Sequence, residues 1–343
     1  MYLCSVSSVD FMKKIFFAAA LLLTFCVSCQ CERANLRKIN LSVEVQRFDR
    51  DLFALDLDSL REQLPALQQK YGEFFTLYCT GIIGIGNPQD TDFYEHLRDF
   101  LTDEVVLESY ETAQEIFPNL KTLNLGLTDA FKRYKLAFPN ENVPRAAAFV
   151  SGFNQSIMLS EDAVGVGLDK YLGDTCELYS QLGFYKYLIR NMYPDKILSD
   201  VMLSWAEGKF PYQSAQSDLL SRMMWEGKLF YFAKQMLPNQ PDTSIFGFSK
   251  AQLTSCESNE GFMWLHLIEN KLLFSSHPFT IAKFTDDAPF TQDFSREAPG
   301  RAANWIGYRI VQQYMRRSSS TLAELMRNND YRKMLEDSGY NPR

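Results

Sequence analysis

The strongest constraint on this chain is a carboxylate set into an apolar helical stripe. Leu219, Met223, Glu226 and Phe230 follow one another at spacings of three and four, so they share one face of a helix. An ionised carboxylate cannot be buried without compensation, so Glu226 must be paired, hydrogen-bonded, protonated or bound to a metal. Which of these holds decides between an enzyme and a scaffold. The surrounding stretch, Ile197 to Phe232, predicts two helices joined by a short polar link. Pro194-Asp195 starts the first, whose face is Ile197, Val201, Met202 and Trp205. Phe210-Pro211-Tyr212 breaks the path, and Ser217-Asp218 caps the second.

Three cations are candidates to stand near Glu226. Arg222, one turn before it, offers a helical ion pair worth only about 0.2–0.5 kcal/mol if exposed. Lys228, two residues on, points elsewhere and is no intrahelical partner. Arg301, carried by a Pro299-Gly300-Arg301 loop, is the better candidate for a buried, fork-like partner. Structural pairing with Arg222 or Arg301 is the expectation, against a ligand pocket.

With 46% hydrophobic and 14% aromatic residues, the 343-residue chain has ample material for a packed core. Alternation over Leu41–Phe48 predicts a strand, and Asp58-Ser59 caps a helix through Tyr71. Gly81, Gly84 and Gly86 lack the spacing and the Lys-Ser/Thr ending of a phosphate loop, so they read as a plain loop. Residues 91–136 predict three helices, with Phe117, Leu120, Leu123, Leu127, Phe131 and Tyr134 as core. Ala146–Val150, Gln155–Leu159 and Val164–Leu168 are short apolar runs separated by turn residues, which predicts strands in a meander. Helices follow over Thr175 to Asn191, Lys250 to Phe274 and Trp305 to Met315. No linker or repeat divides the body. The expected fold is α+β and predominantly helical, with a small antiparallel or mixed sheet, in a single domain over 41–343.

The N-terminus reads as an address. Lys13 and Lys14, the apolar run Ile15–Phe25 and then Cys26-Val27-Ser28-Cys29 form a bacterial lipoprotein signal over 1–28, with Cys29 the lipidated residue and Met12 the expected start. The run is short for a membrane span, and an ordinary cleaved secretory signal is the alternative, since Cys26 is unusual three places before a lipidated cysteine. Residues 29–40, polar and without periodicity, are the expected tether. A membrane partner is therefore reached through Cys29. A net charge of −7 without clustered Lys and Arg argues against nucleic acid.

Several chemistries lack their residues. His96, His266 and His277 are the only histidines, and no two lie at a metal-ligand spacing. No Gly-x-Ser-x-Gly elbow nominates a serine nucleophile. Cys79, Cys176 and Cys256 are scattered through the body, contain no Cys-x-x-Cys pair and are expected to be buried thiols.

Taken together, Glu226-Gly227-Lys228-Leu229-Phe230-Tyr231-Phe232 with Leu237-Pro238, Arg47-Phe48-Asp49-Arg50-Asp51-Leu52-Phe53, Asp169-Lys170-Tyr171-Leu172-Gly173, Asn259-Glu260 before Trp264, and Pro299-Gly300-Arg301 before Trp305-Ile306-Gly307 resemble the gliding-motility lipoproteins of the GldB type. The resemblance runs from about residue 41 to the C-terminus. It implies an accessory lipoprotein of the gliding and associated secretion machinery in Bacteroidetes-like bacteria, held in the envelope by palmitate and other acyl chains and facing the periplasm rather than the cell surface. Its partners would be other envelope proteins. That family also looks like a distant relative of zinc peptidases with His-Glu-x-x-His on one helix and a glutamate ligand on the next. In that comparison Ser199, Asp200 and Leu203 stand where His, Glu and His would be, and Glu226 stands for the third ligand. Ser and Leu supply no nitrogen ligand. The likeness thus implies a degenerate, zincin-like architecture without metal, cofactor or catalytic residue, whose vestigial cleft comprises Ser199, Asp200, Leu203, Glu226, Lys228 and Arg301. Two alternatives remain: a peptide- or ligand-binding module on that cleft, and a hydrolase using Glu226 or Glu260 as base.

Overall fold

A computed structural model describes residues 35–342. The proposed signal, Cys29 and the first half of the proposed tether lie outside the described residues. The chain divides after Ser42. In the described part before that point, residues 35–38 make one helical turn, and the unit from Val43 onward carries every other element.

The sheet has four strands, β1 (Val45–Gln46), β2 (Arg145–Phe149), β3 (Ile157–Leu159) and β4 (Ala163–Gly167), in the order β1-β2-β4-β3. The three apolar runs do form strands, but they are not a meander. β2 pairs with β4 in parallel, from Arg145 opposite Ala163 to Phe149 opposite Gly167, and β3 runs antiparallel along the outer side of β4. Burial accounts for this: beyond Arg145 every residue of β2 and β4 is buried, the pattern of central strands covered on both faces. The predicted strand over Leu41–Phe48 shrinks to two residues in the sheet. Its backbone N–H groups go instead to side chains, Val43 to Thr128 Oγ1 at 2.9 Å and Val45 to Asn124 Oδ1 at 3.1 Å, and Phe48 then opens a helix.

One aromatic core lies under the sheet. It is built by α1 (Phe48–Phe53), α2 (Leu60–Tyr71), α3 (Glu73–Leu77) and a π-helical turn over Tyr78–Ile82. Phe48 is the hub, edge-on to Tyr71, Phe74 and Tyr78 at 4.8, 5.3 and 4.8 Å between ring centres. The three helices predicted over 91–136 are α4 (Phe93–Thr102), α5 (Glu104–Ile116) and α6 (Lys121–Ala137).

The helix predicted over 175–191 is two short ones, α7 (Glu177–Gln181) and α8 (Lys186–Ile189), because Gly183 takes a left-handed φ of 77° between them. α9 (Ile197–Lys209) and α10 (Leu219–Met236) are the predicted helix pair, and Asp218 caps α10 by accepting from the Ser221 N–H at 2.9 Å. After α11 (Asp242–Phe246), the long helix expected over 250–274 is also two, α12 (Lys250–Ser258) and α13 (Glu260–Glu269). Asn259 divides them, its side-chain amide donating back to the Ser255 carbonyl at 2.8 Å. α14 (Pro278–Thr285), α15 (Ala302–Arg317), α16 (Leu322–Arg327) and α17 (Tyr331–Ser338) complete the chain.

α10 is buried on nearly every side and is the axis of the helical layer. It crosses α15 at two glycines. A Cβ on Gly227 would lie 2.3 Å from the Gly307 carbonyl carbon, and a Cβ on Gly307 would lie 1.8 Å from the Met223 carbonyl oxygen. The two backbones therefore touch directly, which is the physical reason for a glycine inside Glu226-Gly227-Lys228 and another ending Trp305-Ile306-Gly307.

Candidate functional site

Glu226 keeps 17% of its side chain exposed and accepts a hydrogen bond from Arg222 Nη2 at 3.1 Å. Burial pushes its pKa up to about 7, against the opposing fields of Arg222 and Arg301, while Glu207 and Asp287 add to the rise. Arg222, one turn away, is thus the direct partner, and Arg301, the better candidate from sequence, is not. The Arg301 guanidinium is engaged elsewhere, with Asp287 Oδ1 at 3.1 Å and the Phe246 carbonyl at 3.1 Å. Arg222 also lies over the Trp225 ring at 4.6 Å, which anchors it independently of Glu226.

The other five candidate residues do not form one constellation with Glu226. Ser199 is fully buried and its hydroxyl has no hydrogen-bond partner. Leu203 is half-buried. Asp200 is bonded to Lys196, four residues earlier, and accepts from the Tyr171 hydroxyl at 2.8 Å. On α9 the acid whose field reaches Glu226 is Glu207, beyond the segment compared with a metal-binding helix. Lys228 is fully buried and donates to the Asn328 carbonyl at 2.7 Å, fastening α10 to the link between α16 and α17; burial lowers its pKa to about 8. Among the described residues no three of His, Cys, Asp or Glu are grouped so as to hold a metal. The body cysteines are free thiols, Cys79 and Cys256 buried and Cys176 partly so.

Asp200 and Arg301 do meet, in a cleft of about 240 Å³. Lys170 and Tyr171 enter it from the turn after β4, Arg190 and Asn191 from the end of α8, Lys196 and Asp200 from the start of α9, and Gly300 and Arg301 from the loop before α15. Two stretches singled out in the sequence, Asp169-Lys170-Tyr171 and Pro299-Gly300-Arg301, therefore converge on one cavity. Asp169 organises the first from beneath. It is fully buried, and its Oδ2 accepts from the N–H groups of Ser151 at 2.9 Å and Phe153 at 2.6 Å, holding a turn in which Gly152 and Phe153 both have positive φ. Its own carbonyl accepts from the Tyr179 hydroxyl at 2.8 Å.

Sequence reasoning missed Lys170, Arg190 and Lys196 as lining residues. The i, i+4 spacing of Lys196 and Asp200 predicts an ion pair, and nothing in the sequence links either to Arg190. Positions brought together from four separate stretches carry no local signal.

A family model described as gliding motility protein GldB matches residues 30–342. No curated protein and no solved structure gives a significant match.

Proposed function

Since the chain belongs to the family of the gliding motility protein GldB, we propose that it is a non-enzymatic, lipid-anchored protein of the cell envelope, facing the periplasm and supporting the gliding and associated secretion machinery through contacts with partner proteins. No helix among the described residues is long and apolar enough to cross a membrane. The observation that carries the contact role is α13. Its inner face, Met263, Trp264 and Leu267, is buried, and its outer face presents Phe262, Leu265 and Ile268 with 57%, 49% and 45% of each residue exposed. A helix apolar on both sides has a second surface to cover. The chemistry of the vestigial positions supports a non-enzymatic role: Leu203 has no ligand atom, Asp200 is ion-paired with Lys196, and Glu226 is hydrogen-bonded to Arg222.

A double change, Phe262→Asp with Leu265→Asp, tests this reading in a strain lacking the native chain. The inner face still seats α13, so the variant should fold, reach the membrane and fail to restore the machinery's activity. Full restoration by the folded variant would remove the contact role from this surface. The cleft favours a second reading, a ligand-binding module.

A further inference from the structure

The cleft's lining contains four cationic side chains, Lys170, Arg190, Lys196 and Arg301, and two acids, Asp200 and Asp287. The acids are spoken for: Asp200 is bonded to Lys196, and Asp287 lies 3.1 Å from Arg301 Nε with 61% of its side chain exposed at the rim. Lys170 and Arg190 have no carboxylate in ion-pair range among the described residues. Lys170 Nζ reaches only the Phe153 carbonyl, at 3.3 Å, and sits 4.5 Å from the centre of the Phe184 ring. The Arg190 Nε is buried without a hydrogen-bond partner.

The two arginines are placed with care for each other's position. Arg301 Nη2 donates to the Phe246 carbonyl at 3.1 Å and Arg190 Nη2 to the next carbonyl, Gly247, at 3.3 Å, so two like charges hang from consecutive peptide groups. Burial and then repulsion from Arg301 lower the proton affinity of Arg190, and the field of Asp287 opposes them. Gly247 makes the arrangement possible, because a Cβ there would lie 2.9 Å from Arg301 Nη2. Arg301 itself takes a left-handed backbone, φ 52°, a conformation strained for any residue with a Cβ. Its neighbours over-determine that conformation: a Cβ on Gly300 would meet the Ala288 oxygen at 2.1 Å, and the Ala302 N–H donates to Thr291 Oγ1 at 3.2 Å. A strained backbone at Arg301 and two guanidinium groups held side by side, in a lining with two more cations than acids, are the marks of a preorganised anion site.

We propose that this cleft binds a phosphate-type dianion, with the guanidinium groups of Arg190 and Arg301 and the ammonium of Lys170 as its donors. A phosphate ester near neutral pH carries close to two negative charges and three acceptor oxygens, which matches the surplus charge and the donors on offer. Phe184 and Phe248 in the wall give the esterified group an apolar surface. The shared chemistry has two sources, a soluble phosphate ester and a phospholipid headgroup.

Calorimetry on the full chain in detergent separates the outcomes, using inorganic phosphate, glycerol phosphate, water-soluble dihexanoyl phosphatidic acid and acetate. Saturable phosphate binding is expected at concentrations up to about 10 mM, weakened about 10-fold or more by Arg190→Gln and by Lys170→Gln and unchanged by Lys333→Gln on the exposed face of α17. The tighter of the two esters then assigns the source. Lys170→Gln alters a half-exposed side chain and keeps the test decisive if Arg190→Gln fails to fold. No saturable binding, an affinity in the folded cleft variants unchanged from that of the parent, or acetate binding as tightly as phosphate would overturn the proposal.

Discussion

Glu226→Gln is the most informative single substitution, because it removes the charge and keeps the shape. The folded chain holds the Glu226 carboxyl at a pKa of about 7, against an ordinary 4.5, chiefly through burial. Between those two pH values the native state binds the extra proton, so stability falls as pH rises from about 4.5 to about 7 and stays at its lower level above. At about 1.4 kcal/mol per tenfold, the displacement sets an upper bound of about 3 kcal/mol on the cost of ionisation. The 17% of the side chain that remains exposed reduces this to about 1–3 kcal/mol. Glutamine keeps an oxygen for Arg222 and carries no charge. The variant should therefore match the parent to within about 1 kcal/mol in urea unfolding at pH 5 and exceed it more clearly, by about 1–3 kcal/mol, at pH 8. If the variant instead loses stability at pH 8 and not at pH 5, the Arg222–Glu226 pair outweighs the burial penalty, and the ranking of the two effects is wrong.

Further outcomes follow from the same geometry. Gly227→Ala and Gly307→Ala should each destabilise the fold by about 1–3 kcal/mol or more, since the added methyl meets backbone rather than a yielding side chain; thermal unfolding within 1 kcal/mol of the parent would show that the helices do not cross there. Asp169→Ala should cost about 1–3 kcal/mol by orphaning the Ser151 and Phe153 N–H groups, read by urea unfolding and by faster hydrogen exchange at those amides. Cys29→Ser should move the protein from the membrane to the soluble fraction on centrifugation, and continued sedimentation with membranes would refute lipid attachment at that residue.

What the sequence made legible was local. The apolar stripes gave the helix pair α9–α10 and the three helices over 91–136, and turn residues marked the three short strands. Three errors share one cause, competition from side chains or glycine that periodicity does not register. Thr128 and Asn124 took the hydrogen bonds of a would-be strand, Gly183 cut one helix, and Asn259 cut another. Parallel pairing of β2 with β4 was invisible because strand order depends on contacts across the chain. Glu226 was legible as an anomaly, and Arg222 as a partner by spacing. The preference for Arg301 failed because the Phe246 carbonyl and Asp287, distant in sequence, hold that side chain in the cleft. Two of the motif glycines, Gly227 and Gly307, turned out to be explained by one helix crossing, which no reading of either motif alone contains.

The most direct measurement of the central claim is a mild in-membrane crosslinking pull-down, comparing the native chain with the Phe262→Asp, Leu265→Asp variant. A scaffold of an envelope machine should capture a small, reproducible set of envelope proteins, and the variant should lose them while staying folded and membrane-bound. Capture of the same set by both chains, or of none by the native chain, would contradict a function exercised through the outer face of α13.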